Sequence, residues 1–177
     1  MRTIATTLFI LVLSGAVVFG QESQKHGTAK PVAVDIVNAQ GQSVGTAVLS
    51  DSPQGVKIKL DIKNLPPGPH LMHIHEFAKC DPPDFKSAGA HFNPTGASHG
   101  DHSPTAMPAG DIPHFVLTVG ADGTAHTSVI APGVTLGTEI NSVFSNGGTA
   151  IVIHAVAEQV SASAPPRIAC GVIAKPQ

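Results

Sequence analysis

Val56-Lys57-Ile58-Lys59-Leu60-Asp61-Ile62 alternates apolar and polar residues without a break. That period of two marks a strand with one face in a core and the other in water. Working outward, similar short runs recur along the chain. Val32–Val37 and Thr46–Leu49 precede it, separated by a Gly-containing turn. Leu65-Pro66-Pro67-Gly68-Pro69 reads as a turn after it, and Leu71–His75 as the next strand. Further runs follow at Phe115–Val119, His126–Ile130, Ile140–Phe144, Ala150–Val156 and Ile168–Ile173, with turn signals at Ala121-Asp122-Gly123 and Asn146-Gly147-Gly148. No sustained helical period competes with them. About eight short strands divided by turn residues predict an all-β fold, an antiparallel sandwich or barrel.

Composition agrees with one domain of this kind. The chain has 177 residues, with Gly 18 and Pro 15, which favours turns over long helices. Charged residues are only 12%, and the net charge of −2 offers no basic patch, which disfavours a nucleic-acid partner. The N-terminus reads as a signal peptide: Arg2, the apolar run Leu8–Leu13, then Val18-Phe19-Gly20 before Gln21, with cleavage expected after Gly20. Residues 21–30 are polar and unperiodic, a flexible lead-in to a domain over residues 31–177. That mature part is too polar and too broken by Pro and Gly to span a membrane. Export places Cys80 and Cys170 in an oxidising space, where they form either one bridge or two free thiols.

Residues 76–113 break the strand pattern. They contain Pro82, Pro83, Pro94, Pro104, Pro108 and Pro113, with Gly89, Gly96, Gly100 and Gly110. A long loop of this kind in a compact domain is usually functional. The histidines point the same way, since ten of them accompany two cysteines. His73 and His75, two apart on a predicted strand, share one face. His91 and His99 lie in the loop, Asp111 lies beyond, and His154 ends the apolar run Ile151-Val152-Ile153. Four converging imidazoles without a thiolate suit copper or zinc.

Several segments carry a family resemblance. They are Gly68-Pro69-His70-Leu71-Met72-His73-Ile74-His75-Glu76, Ser87-Ala88-Gly89-Ala90-His91-Phe92-Asn93-Pro94, His99-Gly100, Ala109-Gly110-Asp111, Val152-Ile153-His154 and Arg167-Ile168-Ala169-Cys170-Gly171-Val172-Ile173. Together they resemble copper–zinc superoxide dismutase over roughly residues 31–174. The resemblance implies an eight-stranded Greek-key β-barrel with a long metal-binding loop. It implies that His73, His75, His91 and His154 hold copper, that His91 also bridges to zinc, and that His99 and Asp111 are further zinc ligands. It gives Arg167 the role of guiding the superoxide anion, His91 that of proton donor, His70 a structural role, and Cys80 and Cys170 a disulfide. The activity implied is the conversion of superoxide to oxygen and hydrogen peroxide at a redox-active copper. A copper carrier on the same barrel is the competing class, but it has no need of Arg167.

Two departures from the family pattern stand out. The third zinc histidine should lie three residues before Asp111, where this chain has Pro108. Proline offers no side-chain ligand, so zinc is expected to bind weakly; His102 and His114 are the nearby substitutes. The segment from His154 to Arg167 is short, and Glu158 stands where the family has an aspartate linking the metal histidines. Both changes resemble the copper-only branch of the family.

Overall fold

The computed structural model describes residues 30–97, 107–156 and 165–176. The signal segment, nearly all of the lead-in, and the candidate residues His99, His102 and Glu158 lie outside them.

Among the described residues, eight strands form one antiparallel sheet: β1 (Val32–Asn38), β2 (Ser43–Ser52), β3 (Gly55–Ile62), β4 (Gly68–His75), β5 (Leu117–Val119), β6 (Ala125–Ala131), β7 (Thr149–Val156) and β8 (Arg167–Ile173). Their spatial order is β5-β4-β7-β8-β1-β2-β3-β6. The two edge strands are consecutive in the chain, joined by a turn in which Gly120 N–H donates to the Thr124 carbonyl at 2.8 Å. They touch, so the sheet curls into a nearly closed barrel and few backbone groups are left on an open edge. The crossings from β3 to β4 and from β6 to β7 give the expected Greek-key character.

β3 shows the alternation at its cleanest. Val56, Ile58, Leu60 and Ile62 are fully or almost fully buried, while Lys57, Lys59 and Asp61 face water. The inward residues of the other strands, among them Ile36, Leu49, Met72, Ile74, Ile151, Ile153 and Ile173, complete the interior. Burying each such side chain contributes about 1.5–3 kcal/mol.

One expected strand is absent. Ile140–Phe144 is a loop, with Ile140 exposed and Ser142 buried. The Ser142 hydroxyl donates to the Gly137 carbonyl at 2.8 Å, and Val143 N–H donates to the Thr135 carbonyl at 3.0 Å. These local bonds satisfy the backbone without a ladder, which is how Ser competes with regular structure. β5 is shorter than its apolar run, because Phe115 N–H turns back to the Ile112 carbonyl at 3.3 Å.

A second, smaller apolar cluster lies on the outer face of β7 and β8. Ala150, Val152 and Cys170 point outward there and are covered by Phe85 and Ala88 of the long loop. The loop is fastened beside them by the Cys80–Cys170 disulfide, whose Cα atoms are 5.6 Å apart. Closing a loop of this length costs the unfolded chain about 4–5 kcal/mol of entropy in the loop-closure treatment. The loop then returns along β4: Phe92 N–H donates to the Ile74 carbonyl and Ile74 N–H to the Gly110 carbonyl, each at 2.9 Å. Gly110 permits that approach, since a Cβ there would collide with the Ile74 carbonyl. Among the described residues, no helix is long and apolar enough to cross a membrane.

Candidate metal centre

On β4 the period of two sends Met72 and Ile74 into the core and His73 and His75 to the outer face. β7 is the neighbour of β4, with His73 opposite Val152 and His75 opposite Ala150. Its own outward set is Ala150, Val152 and, past a bulge, His154. His91 arrives from the loop, held to His75 by an isolated bridge. Four imidazoles thereby converge from two strands and one loop. Their ligand nitrogens all lie within 4.8 Å of one another. The rings of His73 and His91 stack at 4.1 Å, and those of His75 and His91 meet edge to face at 5.0 Å.

The far side of three rings is fixed by a hydrogen bond. His75 Nδ1–H donates to the Gly89 carbonyl at 3.0 Å. His154 Nδ1–H donates to the Pro165 carbonyl at 3.2 Å. His91 Nδ1–H donates to Asp111 Oδ1 at 2.6 Å. Each bond selects the tautomer that leaves Nε2 with its lone pair. Nε2 of His75 and Nε2 of His154 are buried and make no hydrogen bond among the described residues. Buried polar atoms are normally satisfied. Neutral nitrogens with inward lone pairs are the donor set of an imidazole-bound transition metal, and the site fits copper chemically.

Burial favours the neutral form of His75 and His154. Burial lowers the pKa of His75 from 6.5 to about 3, outweighing the raising effect of the Gly89 hydrogen bond. The same desolvation lowers His154. A neutral imidazole is the form a metal needs.

Arg167, at the start of β8 and opposite His154, donates from Nη1 to the Phe85 carbonyl and from Nη2 to the Gly89 carbonyl, both at 2.7 Å. One carbonyl, that of Gly89, therefore orients both the His75 ring and the guanidinium. Gly89 itself has a positive φ of 78°, and a Cβ there would strike the Glu76 side chain. Burial lowers the Arg167 pKa from its usual value, the expected cost of setting a cation partly inside the fold.

The remaining sequence candidates divide clearly. Asp111 is at the cluster, on His91. Pro108 is buried and supplies only its carbonyl, to Asp111 N–H at 3.0 Å. His114 is exposed in a left-handed turn and is not one of the four clustered histidines. His70 is buried behind the site, its ring nitrogens 2.8 Å from the carbonyls of His154 and Pro66. Sequence reasoning missed the anchors made by backbone: the carbonyls of Phe85, Gly89 and Pro165. Residue type does not report a carbonyl's direction; the Gly in Ser87-Ala88-Gly89-Ala90-His91 was the one available signal.

Comparison with known proteins reaches the same place. Residues 43–173 match the family model described as copper/zinc superoxide dismutase. A protein named superoxide dismutase [Cu-Zn] 1 from Aquifex aeolicus is 46% identical over 145 residues, covering 78% of this chain and 85% of that protein. Superoxide dismutase [Cu-Zn] from Escherichia coli is 31% identical over 163 residues, covering 84% and 90%. Among solved structures, a SOD-like protein from Bacillus subtilis superposes with a TM-score of 0.70 at 33% identity, covering 79% of this chain and 96% of that one. The monomeric copper, zinc superoxide dismutase from Salmonella enterica superposes with a TM-score of 0.62 at 31% identity, covering 80% and 98%.

Proposed function

Because the chain belongs to the copper/zinc superoxide dismutase family, we propose that it is a copper-dependent superoxide dismutase with His73, His75, His91 and His154 as its copper ligands. The observation that carries this reading is the convergence of four imidazoles whose ligand nitrogens all lie within 4.8 Å of one another, with Nε2 of His75 and of His154 buried among them. When bound, copper supplies one-electron redox chemistry, by which two superoxide ions and two protons become oxygen and hydrogen peroxide.

The chain's own residues do the rest. Gly89, Asp111 and Pro165 hold three ligand rings in the tautomer that ligates through Nε2. Asp111 holds the Nδ1 proton of His91, so Nε2 is the atom that would carry a proton to the product whenever it is not engaged with the metal, in the manner of a general acid. Arg167 commits two of its five N–H donors to carbonyls and sets its charge beside the cluster, where it attracts an anion. That fixed guanidinium favours an enzyme over a copper carrier.

The zinc side would consist of His91, His99 and Asp111, without the third histidine that Pro108 replaces, and zinc there would take the place of the His91 Nδ1 proton that Asp111 holds in its absence. Three ligands suit an accessible zinc better than a tightly held structural one, so zinc is held weakly. Export through residues 1–20 to the periplasm or the extracellular space fits the disulfide between Cys80 and Cys170. Copper titration of the wild-type protein and of His154→Ala tests the ligand set. The wild type should take one copper per chain with a defined visible band, and the variant should lose or markedly change that band; an unchanged spectrum would refute the assignment.

A further inference from the structure

Arg167 is clamped to the loop at Phe85, and the two residues flanking Phe85 carry opposite charges. Phe85 is fully buried in the outer apolar cluster and adopts a left-handed φ of 52°, so its neighbours are held in place. Asp84 is the nearby negative charge acting on the Arg167 guanidinium, where it opposes the lowering caused by burial. Lys86 occupies both Asp84 oxygens: its backbone N–H donates to Oδ1 at 3.1 Å, and its Nζ meets Oδ2 at 2.8 Å. The two side chains are largely exposed, at 82% and 53%. Exposed pairs of this kind contribute little to folding, which leaves their charges as their main physical effect.

Resting on the dismutase reading above, we propose that Lys86 and Asp84 form a charge balance beside Arg167 that sets the rate at which superoxide reaches the site. Uncovered, the Asp84 carboxylate repels an incoming anion and competes for the guanidinium. Covered by Lys86, it leaves the field of Arg167 intact. The chain's net charge of −2 supplies no overall attraction for an anion, so local charges decide the encounter. The Lys86 hydrogen bonds also hold the Asp84 pKa below the usual carboxylate value of 3.8, so the charge is present throughout the neutral range. Lys86 and Asp84 are positioning residues, acting through Arg167 and the surrounding field.

The test uses copper-loaded Lys86→Gln, Asp84→Asn and the double variant. Superoxide decay is followed after pulse radiolysis over a range of ionic strength. At low salt Lys86→Gln should be slower by about two- to fivefold and Asp84→Asn faster by a similar factor. The double variant should return close to wild type, and all four should converge near 1 M salt, where the Debye length is about 3 Å. A second readout is azide affinity for the copper(II) form, which should rank Asp84→Asn above wild type above Lys86→Gln. Single variants that change the rate in the same direction, a change that persists at high salt, or three equal azide affinities would overturn the proposal. The two readings separate cleanly. A copper-loaded wild type without dismutase activity sinks the dismutase reading, whereas azide affinities in the stated order would still support the charge balance.

Discussion

Asp111→Asn isolates the carboxylate that holds His91. The Asp111 Oδ1 to His91 Nδ1 separation is 2.6 Å, and the two side chains are only 13% and 24% exposed. A short, partly shielded, charge-assisted bond is of the strong kind. It places the ring proton on Nδ1 and the lone pair on Nε2, toward the other three histidines. Asparagine removes the charge, and its amide can turn to donate instead. That orientation favours the tautomer with the proton on Nε2, where copper should bind. Loss of a carboxylate partner behind a ligating histidine typically lowers metal affinity about 10–100-fold. At about 1.4 kcal/mol per tenfold, that is about 1.4–2.8 kcal/mol of ligation free energy. Competition against a chelator of known affinity, followed through the copper(II) visible band and its paramagnetic resonance spectrum, measures the change. Thermal unfolding of the metal-free variant checks that the barrel is intact. An affinity within twofold of wild type, with an unchanged spectrum, would refute the reasoning.

Three further outcomes are expected. Arg167→Ala should keep its copper but lose about tenfold or more in superoxide decay at low salt, with a flatter dependence on ionic strength; wild-type rates at low salt would contradict the guiding role. Pro108→His should raise zinc affinity markedly, as measured by zinc competition, while chelation of zinc from the wild type should leave copper and activity in place; tightly held zinc at full occupancy in the wild type would count against this. In the metal-free protein, His75 takes up a proton in the unfolded chain near pH 6.5 but in the native fold only near pH 3. The unfolded state therefore binds more protons between those values. Stability should be fully present above about pH 6.5 and fall as the pH drops toward about 3, an effect visible in denaturant midpoints and one that His75→Phe should reduce.

Much of this was legible in residue order because barrel strands carry their burial pattern openly. The alternation in Val56–Ile62 became the cleanest strand, and the spacing of His73 and His75 set both on the outer face. Ile140–Phe144 misled because an apolar run is also compatible with a loop whose serine satisfies the backbone locally. Convergence of His91 with the strand histidines depends on how residues 76–97 and 107–113 lie on the sheet. That placement is governed by the burial of Phe85, the Cys80–Cys170 tether and the close approach of Gly110, none of which has a periodic signature. The anchors of Arg167 and His75 were out of reach for a different reason. They are carbonyl groups, present at every residue, and only the folded backbone decides where they point.

The most direct test of the account is superoxide decay measured by pulse radiolysis with increasing amounts of copper-loaded protein, set beside the metal-free protein and His154→Ala under the same conditions. The predicted result is catalytic decay proportional to bound copper, with oxygen and hydrogen peroxide formed in equal amounts, slowing as salt is added and absent in the other two samples. A protein that retains one copper per chain at the four-histidine site yet removes superoxide no faster than its metal-free form would contradict it.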